Sequence, residues 1–331
     1  MQYELSICIP AYNREKYLKE ALDSIINQLD NTNRDKVEIC ISDNASQDNT
    51  KELVESYKLK HPHIIYFRWD KNMGADNNYL KSVEISSGKY CWILGSDDII
   101  NCGSIKKIIQ ELQFQYDIYL CNVKVCNINM KFMYYYKCLK NPIASTVFQF
   151  GDNNLIEKYL KAIKNIAGIL GYLSSTIFLK AKWDNIKGKD EFIGTAYVHS
   201  YILLSILKDK SKLKYICEYL VSYRGYNDNF ALEGMQKRIL LDLNGIPLLM
   251  HKVFNGCIDV NYYAKEILSR HYGLRGHLYF ISSLNENNLI EKKMLEIGYT
   301  KPYLLLCKSL KYPYLLGKKI KAVLRRFHVC N

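Results

Sequence analysis

Two adjacent carboxylates, Asp97 and Asp98, follow directly after an apolar run, in the segment Gly95-Ser96-Asp97-Asp98. Like charges side by side repel each other unless a cation or a set of hydrogen bonds offsets the repulsion. A divalent cation bound by one or two carboxylates and by substrate phosphates is a common arrangement for Mg²⁺. The pair is therefore a candidate metal site, although a solvated turn is the simpler interpretation of two aspartates taken alone.

Two other polar segments stand in comparable positions after apolar runs. Asp43 begins a segment that continues to Ser46, and its carboxylate can accept a hydrogen bond from a nucleotide base or a ribose hydroxyl. Capping of the next helix by Asp43 or Ser46 is the structural alternative. Asn72 and Gly74 stand in the third segment, where glycine permits a tight turn or a close approach of the backbone to a ligand.

The elements that must position these residues alternate along the first third of the chain. Apolar runs and helical periodicity predict strands at 5–9, 37–42, 64–69 and 90–94, and helices at 14–29, 49–60 and 75–87. Such alternation favours a largely parallel sheet that is covered by helices. Ligands bind at the carboxyl ends of the strands in these sheets. Asp43 and the Asp97-Asp98 pair should therefore open onto the same edge.

The pattern changes after about residue 116. Tyr-rich alternating segments between 117 and 147 predict antiparallel strands. Helices are expected at 154–167, 202–207 and 236–249, and the stretch 261–326 is helical and basic in pattern. No domain boundary is evident before about residue 230.

Composition limits the class of protein. The apolar fraction of 48% and the charged fraction of 24% are ordinary for a globular protein. The 11 cysteines form no Cys-x-x-Cys pair and follow no signal-like N-terminus, which favours reduced thiols in a cytoplasm. No run of about 18 apolar residues predicts a spanning helix. The net charge of +13 predicts an anionic partner such as a nucleotide, a nucleic acid or a membrane surface.

Taken together, the polar segments resemble those of the family 2 glycosyltransferases of the GT-A fold. The resemblance extends over roughly residues 4–115 and rests on Ile9–Asn13, Ser42–Asp48, Asn72–Ala75 and Ser96–Asp98. It implies an α/β fold whose mostly parallel central sheet is flanked by helices. It also implies a catalytic domain over 1–230, with a donor-binding half at 1–115 and an acceptor half at 116–230, followed by a helical basic region at 231–331.

The resemblance assigns roles on the donor side. The family's metal-binding aspartate, which holds Mg²⁺ or Mn²⁺ on the donor diphosphate, corresponds to Asp98, and Asp97 lies near the donor ribose and the metal shell. Asp43 corresponds to the aspartate that contacts the nucleotide base. The remaining residues expected at the donor nucleotide are Pro10, Tyr12, Asn13, Asn72, Gly74 and Arg224. Many relatives have another Asp where this chain has Gly95, so the number of metal ligands stays open.

The acceptor side follows the family less closely. Residues 172–183 look like the acceptor-side segment of bacterial surface-polysaccharide transferases of the abequosyltransferase type. Many members then supply the catalytic base from a Glu-Asp pair, but this chain has His199 nearby, and imidazole titrates near neutrality. A hydrogen-bonded histidine at a helix start is the structural alternative. Glu191 and Asp184 are the reserve bases, and Arg224 is expected to neutralise the departing nucleoside diphosphate.

The predicted function is an inverting glycosyl transfer from a nucleoside-diphosphate sugar to a glycan acceptor, expected to be lipid-linked, in O-antigen or capsule synthesis. The stretch after Glu296 has no acidic residue, and its basic, apolar pattern predicts contact with the inner face of the cytoplasmic membrane. A core-packing helix is the alternative for this stretch. No motif predicts a nucleic-acid partner.

Two other functions remain open on the sequence. A metal-dependent sugar nucleotidyltransferase also needs carboxylates and a nucleotide site. A basic glycine-rich loop after the first strand would favour this function, and this chain lacks such a loop. A non-catalytic basic protein that binds membrane or nucleic acid would not need acidic residues at the strand ends.

Overall fold

The computed structural model describes residues 3–140, 144–227, 235–282 and 289–310. The chain divides into two compact units, Met1–Asp228 and Asn229–Asn331.

The first unit is built on one sheet, with ten strands among the described residues. The strands are β1 (Leu5–Ala11), β2 (Val37–Asp43), β3 (Ile64–Arg68), β4 (Tyr90–Ile93), β5 (Ile99–Ile100), β6 (Ile118–Cys126), β7 (Phe132–Tyr136), β8 (Thr146–Gln149), β9 (Thr176–Leu179) and β10 (Lys212–Arg224). The helices are α1 (Glu15–Ile26), α2 (Thr50–Lys58), α3 (Ala75–Glu84), α4 (Ser104–Leu112), α5 (Asn153–Ala162), α6 (Lys180–Asn185) and α7 (Val198–Lys208).

The parallel part of the sheet has the order β3-β2-β1-β4. Every residue of β1, β2 and β4 is buried, because helices cover both faces of a sheet of this kind. Ile7, Ile39 and Trp92 belong to the core beneath these helices. The predicted parallel arrangement is confirmed, and the element ends differ from the prediction by at most three residues.

The rest of the sheet is mixed. β9 lies between β4 and β6 and is antiparallel to both, whereas β6 and β10 are parallel. β7 pairs with β6, and β5 and β8 pair with β10, all antiparallel. The sequence pattern did not predict β9 or β10. In β10, register shifts between Ile216 and Val221 break the alternation of apolar and polar side chains that would have revealed a strand.

Two predicted helices have different bounds. The helix expected at 154–167 ends at Ala162, because Ile163 takes an extended backbone and forms a bridge with Leu139. A 3-10 helix at Ile166–Ile169 follows it. The helix expected at 202–207 is α7, which begins already at Val198 and so includes His199 in its first turn.

The described part of the second unit is helical, as predicted. Its helices are α8 (Met235–Phe254), α9 (Val260–Ser282), α10 (Leu289–Glu296) and α11 (Lys301–Ser309). Asp242 is fully buried on α8, where it pairs with Arg238 and accepts a hydrogen bond from the Tyr272 hydroxyl of α9. The basic residues from Lys311 onward, on which the predicted membrane contact mainly depends, lie outside the described residues. Within the described ranges, no helix has both the length and the apolar character needed to cross a membrane.

Candidate active site

The polar segments after β1, β2, β3 and β4 meet at one edge of the sheet. β1 lies between β2 and β4 and is parallel to both, and Ala11 at its end is in register with Asp43. Pro10 is buried at the end of β1, and Tyr12 follows it partly exposed. Because the Asp97-Asp98 pair follows β4, the expected convergence of Asp43 with this pair on one edge is confirmed.

Asp98 is buried, with 2% of its surface exposed, and both of its carboxylate oxygens accept hydrogen bonds from the protein. Oδ2 accepts from the hydroxyl groups of Tyr172, at 2.5 Å, and Ser174, at 2.6 Å. Oδ1 accepts from the backbone N–H of Arg224 at 3.1 Å. Burial, together with the charge of Asp97, raises the pKa of Asp98 to about 7.

Asp97 is the more exposed of the two carboxylates. Its Oδ2 accepts a hydrogen bond from the side-chain amide of Asn227 at 2.6 Å. Burial raises the pKa of Asp97, and the positive charge of Arg14 opposes this rise. Of the pair, Asp97 is therefore the carboxylate that is better placed to face a ligand.

Gly95 explains why the two carboxylates can fold back over the backbone. A Cβ atom at this position would lie 2.8 Å from Asp98 Oδ2 and 3.3 Å from Asp97 Oδ1. The backbone N–H of Gly95 also donates to Ser174 Oγ at 2.9 Å, and the same hydroxyl donates to Asp98. A side chain at position 95 would therefore have to displace the carboxylate of Asp98.

Asp43 is fully buried at the end of β2. Its Oδ1 accepts the backbone N–H of Ser46 at 2.9 Å within the loop. This bond is not the helix cap considered from the sequence, because α2 begins at Thr50, after Asn49, without a side-chain cap. Its Oδ2 accepts from the Tyr66 hydroxyl at 2.8 Å and lies 3.3 Å from Arg68 Nε. Burial and the contact with Asp43 raise the pKa of Tyr66.

The loop after β1 interlocks with the loop after β2. Asn13, which has a left-handed backbone with φ of 51°, receives the backbone N–H of Gln47 on its Oδ1 at 2.8 Å. The backbone N–H of Asn13 in turn donates to Ser46 Oγ at 2.9 Å. These reciprocal bonds fix the two loops relative to each other.

Asn44 joins the loop after β2 to the loop after β3. Its side chain donates to Asn72 Oδ1 at 2.8 Å and accepts the backbone N–H of Met73 at 2.8 Å. Gly74 follows with φ of 84°, a conformation that favours glycine, although a Cβ atom there would meet no atom within 4 Å. The reason for glycine at this position is therefore backbone conformation rather than lack of space.

Arg224 is buried at the end of β10, with 1% of its surface exposed. Its Nε donates to the carbonyl oxygen of Asp97 at 2.9 Å, and its other nitrogens bind Ile128 O at 2.8 Å and Glu20 Oε2 at 2.7 Å. Its guanidinium also lies 4.7 Å from the ring centroid of Tyr17. These contacts use three of the five N–H donors of Arg224, and Glu20 offsets the charge that the sequence prediction assigned to a nucleoside diphosphate.

His199 is buried in the first turn of α7, with 2% of its surface exposed. Its Nε2 lies 3.2 Å from Ser200 Oγ, and its ring meets the Tyr79 ring of α3 edge-on at 5.9 Å. Nδ1 has no well-aligned hydrogen-bond partner among the described residues. Burial lowers the pKa of His199 to about 4, and the nearby backbone of Gly171 offsets only part of this effect.

The two reserve bases differ in position. The assignment of Asp184 is wrong, because β9 runs antiparallel to β4 and carries α6 to the opposite edge of the sheet. There Asp184 pairs with Lys180 at 2.6 Å. Glu191 is exposed on the 3-10 helix Lys189–Phe192, three residues before Gly194. It stays a prediction.

Asp76, which no sequence pattern singled out, connects α3 to the segment before α7. It is 3% exposed, and its Oδ2 accepts the backbone N–H groups of Gly194, at 2.8 Å, and Ala196, at 3.0 Å. Its Oδ1 is buried without a hydrogen-bond partner among the described residues. Burial raises the pKa of Asp76, and the backbone donors oppose this rise. An Asp in the first turn of a helix is common, so no local signal marked it.

The sequence and the fold match known proteins. A family model described as "Glycosyl transferase family 2" matches residues 6–168. The first 349 residues of TarS from S. aureus, solved in complex with UDP-GlcNAc, have a TM-score of 0.62 at 15% identity, over 95% of this chain and 92% of that chain. The sheet and its helices therefore form a GT-A fold.

Two curated relatives are also informative. The abequosyltransferase RfbV of Salmonella typhimurium is 40% identical over 246 residues, which cover 72% of each protein. A more distant relative from Campylobacter jejuni, named GalNAc(5)-diNAcBac-PP-undecaprenol beta-1,3-glucosyltransferase, is 29% identical over 109 residues, or 33% of this chain and 34% of the relative. The chain belongs to glycosyltransferase family 2.

Proposed function

We propose that this glycosyltransferase moves a sugar from a nucleoside-diphosphate sugar to a hydroxyl group of a lipid-linked glycan, with inversion at the anomeric carbon, during synthesis of O-antigen or capsule. The observation that carries the proposal is the shared sheet edge, where Asp43 and the Asp97-Asp98 pair flank the end of β1. The name of the Salmonella relative supports sugar transfer, the name of the Campylobacter relative supports a lipid-linked acceptor, and the TarS complex supports the type of donor.

A divalent cation fits the chemistry of the aspartate pair. Carboxylate oxygens are the ligands that Mg²⁺ and Mn²⁺ prefer, and no cluster of three or more acidic, His or Cys side chains completes a metal site within the described ranges. Oxygens of the donor diphosphate would therefore complete the coordination. We assign direct contact to Asp97, since Asp98 already accepts three protein hydrogen bonds. When bound, the cation neutralises charge that develops on the leaving diphosphate.

Arg224 contributes to the donor side by positioning the aspartate pair rather than by binding the donor. Its backbone binds Asp98 and its side chain binds the Asp97 carbonyl, so it holds the aspartate turn against the end of β10. Arg14, whose charge favours the ionised form of Asp97, is the nearby cation that is partly exposed. We therefore transfer the role of neutralising the donor from Arg224 to Arg14.

Proton transfer from the acceptor is assigned to His199. Burial keeps its ring neutral near pH 7, and the neutral ring is the form that accepts a proton. A base with so low a pKa is weak, so it takes the proton only after the forming bond has made the acceptor hydroxyl acidic. The His199 ring interacts with the backbone of Gly171, and the next residue along the chain, Tyr172, binds Asp98.

Binding of nucleoside diphosphates to the purified protein, measured by thermal shift with Mn²⁺ or with a chelator, tests the donor site. We expect one nucleotide to stabilise the wild type more strongly with Mn²⁺, and Asp97→Asn to lose that increment and about 10²- to 10³-fold in transfer rate. Asp184→Asn is the matched control at the opposite edge and should behave as wild type. Equal stabilisation with and without metal would remove the cation from the proposal, and no stabilisation by any nucleotide would overturn the donor site.

A further inference from the structure

The hairpin of β6 and β7 carries a surface that the transfer reaction does not explain. Four consecutive side chains of β7 are exposed: Phe132 (54%), Met133 (41%), Tyr134 (51%) and Tyr135 (56%). We call these four residues the aromatic edge. Adjacent residues of a strand point to opposite faces, so both faces of β7 present large apolar groups. A contiguous set of this kind marks an interaction surface, whereas scattered exposed apolar residues do not.

The aromatic edge lies on a strand that is open on one side. Among the strands that the structure describes, β7 pairs only with β6. Exposed edge strands are normally protected by charged residues. Here Lys131 precedes Phe132, and Lys124 is in register with Tyr135. The edge therefore combines apolar side chains with positive charge.

The hairpin is attached directly to the candidate active site. Arg224 binds the carbonyl oxygen of Ile128, in the turn between β6 and β7, and also the carbonyl oxygen of Asp97. Tyr226, which is 77% exposed, follows Arg224 by two residues and lies near Tyr134. A partner that covers the aromatic edge must therefore lie beside the aspartate pair.

The charge and the shape of the aromatic edge indicate which kind of partner it binds. Residues 118–140 include four lysines and no acidic residue, which suits an anionic surface. Tyr, Phe and Met beside Lys are the side chains that enter the interface of a membrane, where aromatic bodies are buried and cationic groups reach lipid phosphates. A sugar ring would stack on one face of one or two aromatic groups, whereas a lipid interface surrounds both faces of the strand.

We propose that the aromatic edge inserts into the headgroup region of an anionic lipid bilayer and brings the edge of the sheet that carries Asp97 to the membrane surface. This contact would deliver a lipid-linked acceptor to the site. The delivery rests on the proposed function, but the membrane contact does not.

Co-sedimentation of the full-length protein with phosphatidylcholine vesicles, with and without phosphatidylglycerol, tests the contact. We expect the wild type to bind the anionic vesicles, and the double variant Phe132→Ser, Tyr135→Ser to bind about tenfold more weakly. Lys124→Gln and Lys131→Gln should each weaken binding about fivefold. Phe114→Ser is the matched control, because Phe114 is 65% exposed but precedes the other end of β6. It should bind as wild type.

Misfolding, glycan binding and dimerisation give results that differ from those of a membrane contact. Exposed positions contribute little to folding, so the thermal midpoints of the variants should match that of the wild type. The basic residues after Leu310 are the same in every protein compared. Equal binding by wild type and double variant would overturn the proposal. Two other results would also overturn it. If the double variant lost activity toward a water-soluble acceptor but still bound vesicles, the aromatic edge would be a glycan-binding surface. If the wild type formed a dimer that the double variant did not form, the aromatic edge would be a dimer interface. The co-sedimentation assay itself uses no sugar donor, so failure of the proposed function would leave the binding result unchanged.

Discussion

The loops after β1 and β2 and the region around the start of α7 are built from similar contacts, but only in these two loops does every buried side-chain polar atom that the structure describes have a hydrogen-bond partner. In the loops, Asn13 and Asn44 use their side chains to bind neighbouring loops, and Asp43 has donors on both oxygens. Around the start of α7, Asp76 of α3 and His199 of α7 each keep one buried polar atom without a well-aligned partner among the described residues. Buried polar atoms without partners cost free energy until a ligand or a movement supplies one. The difference predicts a donor side that is fixed in advance and an acceptor side that adjusts when the acceptor binds.

Of the changes that test this difference between the two sides, the largest effect is expected where the sides join, at Asp76. Asp76→Ala removes the acceptor for the N–H groups of Gly194 and Ala196, so the start of α7 shifts relative to α3. We expect this shift to lower turnover about 10²-fold, because a misplacement of about 1 Å can cost that much. Steady-state kinetics with each substrate varied should show this loss in kcat and in the KM for the acceptor, with the KM for the donor nearly unchanged.

Asp76→Asn separates positioning from folding. The amide oxygen can still accept both N–H groups, so most of the turnover should return. Asp184→Asn, on a surface pair at the opposite edge, should leave both KM values unchanged. If Asp76→Ala raised the donor KM as much as the acceptor KM, the division between a fixed and an adjusting side would fail.

Asn44→Ala should show the opposite kinetic pattern with a smaller effect. The substitution releases Asn72 and Met73 from the loop after β2, and so loosens the donor side. We expect the donor KM to rise about tenfold and the free energy of unfolding to fall by about 0.5–1.5 kcal/mol, because the partly buried N–H of Met73 loses its acceptor. The acceptor KM should stay close to that of the wild type. Denaturant unfolding and the same steady-state kinetics provide the measurement, and an effect confined to the acceptor KM would contradict the comparison.

The donor side was predictable from sequence because local patterns determine it. β1, β2 and β4 are short apolar runs, and parallel order brings their carboxyl ends together, so Asp43 and Asp97 could be placed on one edge before any contact was known. Gly74 was likewise recognisable from its place between a strand and a helix. The bonds between loops, by contrast, join residues about thirty positions apart, as between Asn44 and Asn72, and no periodicity reports them.

The acceptor side and the contacts that hold Asp98 both depend on residues that are distant in sequence. Asp98 is held by Tyr172 and by Arg224, which lie 74 and 126 positions away. The reversal at β9 sends Asp184 to the far edge, although its distance along the chain from the acceptor-side segment is short. Register shifts hid β10, and therefore also the burial of Arg224 at its end. Such features follow from the topology of the whole sheet rather than from any local pattern.

The smallest expected effect concerns the charge state of His199. Its pKa is about 4 in the folded protein and 6.5 in the unfolded chain, so between these values the unfolded chain binds more protons and stability falls as the pH is lowered. Between about pH 7 and pH 5.5, the wild type should lose about 1 kcal/mol more of its free energy of unfolding than His199→Gln does. His271 and His277 have similarly lowered pKa values, but they are present in both proteins and cancel in the difference. Denaturant unfolding at each pH measures this difference. Equal losses would mean that the ring of His199 titrates as an exposed imidazole, and the acceptor side would then be open before any substrate arrives.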